Sequence, residues 1–240
     1  MTKVLSAFLD TVLSKPLFVD ADSPMVKRVH RLDVTSDSPL VCVLGDNSSG
    51  KSLLRREVQE TCEAASYGFF DLSMELRSQD PWIRAETYGD EEVMSTGMIS
   101  LSAMRRSLSR NHIEPCVLFW DEPDVGLSDE VAAGMGLEIL NFLANNTSRG
   151  VLGFFLVTHR RSMLEIILEE STRRPPHVLF VSASKKRPKT LTEWLDRKVV
   201  PRSSSSVIDE GVERFHAMNE YLNRSKRGRR RGKSSQAASR

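Results

Sequence analysis

The sequence predicts an α/β fold, a mostly parallel sheet covered by helices on both faces, and three observations carry that prediction. The apolar runs at 40–44, 116–120 and 151–157 are nearly continuous rather than alternating, the pattern of strands buried on both faces. Helix-period segments lie between the runs, so the chain alternates strand and helix. A glycine-rich turn follows the first run directly, at the carboxyl edge where such sheets bind ligands. With 240 residues and 40% hydrophobic content the chain can bury one large core, and it reads as one domain with appendages.

In chain order, Val4, Leu5, Phe8, Leu9, Val12 and Leu13 recur at helical spacing, and the helix stops before Pro16. Met25 to Val34 alternates loosely as a first strand. Ser36-Asp37-Ser38-Pro39 then turns into the strand Leu40 to Leu44, and a polar-apolar stretch from Leu53 is the next helix. A strand at Gly68 to Leu76, a helix at Ser100 to Arg110 and a strand at Cys116 to Trp120 follow. Val131, Met135, Ile139 and Phe142 mark one face of a helix over Asp129 to Leu143, which leads to the strand Val151 to Val157. Arg161 to Glu170 reads as a helix, Pro175-Pro176 as a break and His177 to Ser182 as the last strand. A short helix at 190–198, a linker at Ser203 to Ser206 and a helix at Glu210 to Leu222 complete the pattern. The predicted division is a main domain at 1–200 with its N-terminal helix, a linker and C-terminal helix at 201–223, and a disordered tail at 224–240.

Charge is segregated along the chain. Residues 224–240 hold eight Lys/Arg and no acid, leaving 26 basic against 32 acidic residues in the body, so a net +2 divides into about −6 and +8. Arg224, Lys226, Arg227, Arg229, Arg230, Arg231 and Lys233 suit phosphate contacts with nucleic acid; the same tail also suits docking on the protein's own acidic body. The odd cysteine count, Cys42, Cys62 and Cys116, shows no metal-ligand spacing and fits reduced thiols. No run approaches 18 apolar residues, and the first residues are too interrupted by charge for a signal peptide, so a cytoplasmic chain without membrane insertion is expected.

The glycine-rich turn reads Gly45-Asp46-Asn47-Ser48-Ser49-Gly50-Lys51-Ser52, a complete G-x-x-x-x-G-K-S phosphate loop. Its glycines let successive N–H groups point at a phosphate, Lys51 reaches the β and γ phosphates, and the Ser52 hydroxyl ligates Mg²⁺. The strand Cys116 to Trp120 ends in Asp121-Glu122-Pro123, which places two carboxylates at the same sheet edge. There Asp121 is placed to hold Mg²⁺ through water and Glu122 to orient or deprotonate an attacking water; the plainer role of such acids is to cap the next helix.

After Glu122 the chain continues through Asp124-Val125-Gly126-Leu127-Ser128, and 37 residues beyond Glu122 an apolar strand ends in Val157-Thr158-His159. In this order the motifs resemble the ABC-type ATPase family: Walker A, Walker B, D-loop and switch histidine. The resemblance covers about residues 16–185 and implies a P-loop NTPase core, ATP and Mg²⁺ as ligands, and His159 as the residue that contacts the γ-phosphate. It also implies a homodimer in which each phosphate loop faces the partner's signature segment. Here that segment is Met94-Ser95-Thr96-Gly97-Met98, where Ser95 and Gly97 keep the family's residues while Thr96 and Met98 depart from L-S-G-G-Q. Gln79 is the Q-loop candidate, and Phe18 the candidate for stacking on adenine. Only 15 residues separate Gln79 from Ser95, so the helical subdomain is much reduced, which disfavours a transporter subunit. The expectation is a soluble ATPase acting as an ATP-gated clamp, with nucleic acid as the leading partner. The alternatives are a switch that binds a protein through the Trp194 region and the helix Glu210 to Leu222, or the ATP-binding subunit of a transporter with a separate membrane partner.

Overall fold

In the computed structural model, residues 2–32, 36–46, 48–73, 95–110, 115–146, 150–182 and 188–237 are described. Six strands form one sheet: β1 (Val29–Leu32), β2 (Leu40–Gly45), β3 (Gly68–Ser73), β4 (Cys116–Asp121), β5 (Val151–Val157) and β6 (His177–Val181). Their order is β1-β6-β2-β5-β4-β3, with β1 antiparallel to β6 and the other pairs parallel. The described helices are α1 (Thr2–Leu13), α2 (Pro16–Val19), α3 (Lys51–Ala64), α4 (Thr96–Ser109), α5 (Asp129–Asn146), α6 (Arg161–Glu170), α7 (Leu191–Leu195) and α8 (Ser204–Ala237). None is long and apolar enough to cross a membrane.

The continuous apolar runs are explained by what covers them. Every residue of β2, β5 and β6 is buried, and side chains alternate between two cores. Leu40, Cys42, Leu44, Leu118, Trp120, Phe154 and Leu156 pack with α4, α5, α6 and α7 on one face. Val41, Val43, Val117, Phe119, Phe155 and Val157 pack with α1, α3 and the middle of α8 on the other. The three cysteines are free and buried, and burial pushes their thiols up to about 12, 12 and 11 for Cys42, Cys62 and Cys116.

Four of the differences from the sequence reading have a local cause. The first strand is confined to Val29–Leu32, because residues 21–28 form turns. Pro16 ends α1 but also opens α2, a four-residue helix with proline at its first position, where the missing N–H costs nothing. Helix α4 begins at Thr96 rather than Ser100, because the Ser95 hydroxyl caps it by accepting from the Met98 N–H at 3.4 Å. The largest difference is α8, whose backbone is helical over Ser204–Ala237 where composition predicts a linker and a disordered tail. No proline interrupts this stretch, Arg, Lys, Gln and Ala are good helix formers, and each residue added to an existing helix is inexpensive. Met218 and Tyr221 anchor α8 in the second core, and the Tyr221 hydroxyl donates to Asp20 at 3.3 Å, so this helix packs on the main body.

Candidate functional site

Sheet order builds the site. Because β5 lies between β2 and β4, the residues following β5 emerge between the phosphate loop and the Asp121-Glu122 pair. Gly45 ends β2 against β6 so closely that a Cβ there would lie 2.1 Å from the Val181 carbonyl oxygen. Gly50 adopts φ 110° at the position just before α3, whose N-terminus no side chain among the described residues caps and whose first turn carries no acid. Such an end presents free N–H groups and the positive end of the helix dipole to an anion.

Lys51 opens α3 and is 8% exposed, an unusual burial for an ammonium. It donates to the Asp46 carbonyl at 3.1 Å and toward the Gly45 carbonyl at 3.4 Å, and it meets His159 Nε2 at 3.1 Å. The same Nε2 lies 3.1 Å from Glu122 Oε1. A single ring nitrogen cannot accept from Lys51 and donate to Glu122 at once, so either tautomer of the ring serves only one of the two. Burial lowers the Lys51 pKa, opposed by Glu122, Asp121 and Asp46. The His159 hydrogen bond holds Glu122 below the usual carboxylate range against its burial. Asp121 is pushed up to about 6, first by burial and then by Glu122. Glu122 itself sits at φ 52°, a left-handed conformation uncommon for a non-glycine residue, held by its N–H bond to the Val157 carbonyl at 2.9 Å.

Among the described residues no group of three or more His, Cys, Asp or Glu is arranged to cage a metal. A site with Asp121 and the exposed Ser52 hydroxyl still fits Mg²⁺, which is held by one or two carboxylates together with substrate phosphates and water. The buried Ser49 hydroxyl, 2% exposed and without a hydrogen-bond partner among the described residues, is a further polar group in the loop.

Not every residue singled out in the sequence is gathered here. Asn47, Gln79 and Met94 lie outside the described residues. Ser95 and Gly97 lie at the start of α4, where Ser95 is exposed and Gly97 packs on Gly126 and Leu127 of the same chain. A Cβ on Gly97 would be 2.5 Å from the Gly126 carbonyl oxygen, and the Ser100 hydroxyl donates to the Val125 carbonyl at 2.9 Å. Phe18 is corrected: at 7% exposure it belongs to the core with α1 and α3, where no base can stack on it.

Two groups escaped sequence reasoning. Asp124 is buried and accepts from the Thr158 hydroxyl at 2.8 Å, while Arg160 donates to the Leu127 carbonyl at 2.7 Å and pairs with Asp129 at 3.2 Å. This ties the segment after Glu122 to the segment bearing His159, and its only signal is that Thr158 and Arg160 flank His159. Arg214 of α8 donates to the Ser48 carbonyl at 2.9 Å across 166 residues, a contact with no local sequence signal. Comparison with protein-family models and with curated proteins finds no match for the chain.

Proposed function

We propose that the chain is a Mg²⁺-dependent ATPase with a P-loop core of the ABC type. The observation that carries the reading is that His159 Nε2 lies 3.1 Å from both the Lys51 ammonium and Glu122, so the residue after β5 faces the phosphate loop and the carboxylate together. In this reading the uncapped start of α3 and Lys51 bind the phosphates, and Ser52 and Asp121 hold the metal, which offsets charge on the phosphate oxygens. The ionised Glu122 carboxylate accepts a proton from water as its oxygen attacks the terminal phosphorus. The bond from that phosphorus to the bridging oxygen breaks, giving ADP and phosphate. Phosphate at Lys51 competes with His159 for the ammonium and leaves His159 free to face the terminal phosphate.

Lys51→Ala is expected to abolish nucleotide binding. Glu122→Gln is expected to retain binding and lose about 10²- to 10⁴-fold in hydrolysis. Full binding and turnover by Lys51→Ala would defeat the reading. In the dimeric form of the proposal, two copies enclose two ATPs, Ser95 and Gly97 face the partner's loop, and Glu122→Gln accumulates an ATP-bound dimer measurable by light scattering. Nucleic acid is the proposed output partner on the strength of the eight basic residues of 224–240. One observation favours a protein partner instead: Ile208, Val212 and Phe215 form an exposed apolar row on α8, 63%, 51% and 62% accessible. Deleting 224–240 separates the two, because only nucleic-acid binding should be lost and lose its salt dependence.

A further inference from the structure

The carboxyl edge of the sheet is asymmetric about the phosphate loop. Toward β4 lie His159, Asp121 and Glu122; toward β6 and β1 lies Arg28. Val181 of β6 stands opposite Gly45, and Val29 of β1 stands opposite Val181. Because β1 runs antiparallel, its beginning rather than its end reaches this edge, which brings Arg28 there; the Ser182 N–H donates to the Arg28 carbonyl at 3.0 Å.

Helix α8 adds a second arginine from the same chain. Arg214 Nη1 donates to the Ser48 carbonyl at 2.9 Å, and Nη2 donates to Glu210 at 2.7 Å. Glu210 is shared, since it also pairs with Arg202. The close seat depends on Gly211, where a Cβ would lie 3.1 Å from the Ser48 hydroxyl oxygen. Arg28 is half-buried and makes no ion pair among the described residues. Its pKa is lowered by burial first and by the nearby Arg214 second. Arg28 and Arg214 stand beside the phosphate loop with only the Arg214 guanidinium paired, to a Glu210 carboxylate that Arg202 also engages, so the two cations repel each other and a polyphosphate relieves that repulsion.

We propose that Arg28 and Arg214 bind the phosphate chain of the nucleotide from the flank of the loop opposite Asp121 and Glu122. The inference rests on the ATPase reading and adds a second set of phosphate ligands to it. A guanidinium exchanges the neutral Ser48 carbonyl for charged phosphate oxygens, which it matches in a bidentate geometry. The C-terminal helix is thereby part of the nucleotide site.

Calorimetric titration of the full chain and its Arg28→Ala, Arg214→Ala and double variants with Mg-ATP and Mg-ADP tests this. Each single variant is expected to raise Kd about 10-fold and the double variant more, with partial recovery in Arg28→Lys and Arg214→Lys. A loss shared by ATP and ADP assigns the arginines to the first two phosphates, and a loss confined to ATP to the third; either supports the proposal. Wild-type Kd values for both nucleotides in both alanine variants overturn it. Ligand-free melting temperatures identify a variant that fails to fold, in which case the lysine variants carry the comparison and must weaken binding. If Lys51→Ala loses binding while the arginine variants do not, this inference alone fails; if the wild type binds neither nucleotide, the ATPase reading fails with it.

Discussion

Asp121 shows at the scale of one residue how function opposes stability. Its carboxyl is pushed up to about 6, first by burial and then by Glu122, whereas in an unfolded chain an aspartate titrates near 4. The folded pKa lies above the unfolded one, so ionised Asp121 destabilises the fold above pH 6 and that cost disappears as pH falls from 6 to 4. Asp121→Asn is therefore expected to stabilise the ligand-free protein by about 1–2 kcal/mol at pH 7.5 while removing metal-dependent turnover. Chemical denaturation checks this, and a less stable variant contradicts it. At Gly97 the direction reverses. A Cβ there would meet the Gly126 carbonyl oxygen at 2.5 Å, and backbone cannot move aside as a flexible side chain does. Gly97→Ala is expected to cost about 1–3 kcal/mol in the same assay, independently of any partner subunit. Lys51, Asp121, Glu122 and His159 were legible because loop and strand-end motifs are contiguous and their spacing is chemical. Arg28 and Arg214 were not, since an isolated arginine acquires meaning only from what the fold sets beside it.

At the scale of elements, strands were more legible than helix ends. Burial on both faces writes itself as an unbroken apolar run, so β2, β4 and β5 could be placed within a residue. Helix ends depend on capping and on neighbours, which is why Ser95 moved the start of α4 and why the extent of α8 escaped a reading based on charge. Helix α5 offers an internal comparison, because two of its glycines, two residues apart, meet opposite conditions. A Cβ on Gly134 would have nothing within 4 Å, whereas one on Gly136 would lie 2.7 Å from Ile166 Cγ2 and 3.1 Å from the Met163 carbonyl oxygen of α6. Gly134→Ala relieves the backbone-entropy cost of glycine in a helix and is expected to stabilise by about 0.5–1 kcal/mol. Gly136→Ala gains the same entropy but forces α5 and α6 apart, with an expected net loss of about 1–2 kcal/mol. Urea midpoints of the two variants should fall on opposite sides of the wild type, and movement in the same direction would show that α5 does not pack on α6 through Gly136.

For the whole molecule, the features least legible in sequence are those made by strand pairing, and His177 is the clearest. As the first residue of β6 it read as a strand residue, yet antiparallel β1 delivers Arg31, whose Nη2 donates to His177 Nδ1 at 3.2 Å. The same guanidinium donates to Ser6 at 3.1 Å and pairs with Asp10 at 3.2 Å, tying α1 to the sheet edge. His177 is fully buried, its Nε2 has no hydrogen-bond partner among the described residues, and burial followed by Arg31 lowers its pKa to about 4, with Asp37 opposing. Here the folded pKa lies below the unfolded value of 6.5, so the neutral ring carries no penalty above pH 6.5. As pH falls from 6.5 to 4 the unfolded chain takes up the proton first, and stability is lost. The loss amounts to about 2–3 kcal/mol across that window. Asp121 acts in the opposite sense over much of the same range, so the wild type shows only the difference between the two. Single variants separate them, because every other titrating group is common to the chains compared. Without the Asp121 gain, Asp121→Asn should lose stability more steeply than the wild type between pH 6 and 4. Without the His177 loss, His177→Gln should lose less, its amide oxygen still accepting from Arg31. Unfolding free energies measured at half-unit intervals of pH give the three slopes directly. If His177→Gln parallels the wild type, the ring is protonated in the folded state and the buried, neutral assignment is wrong.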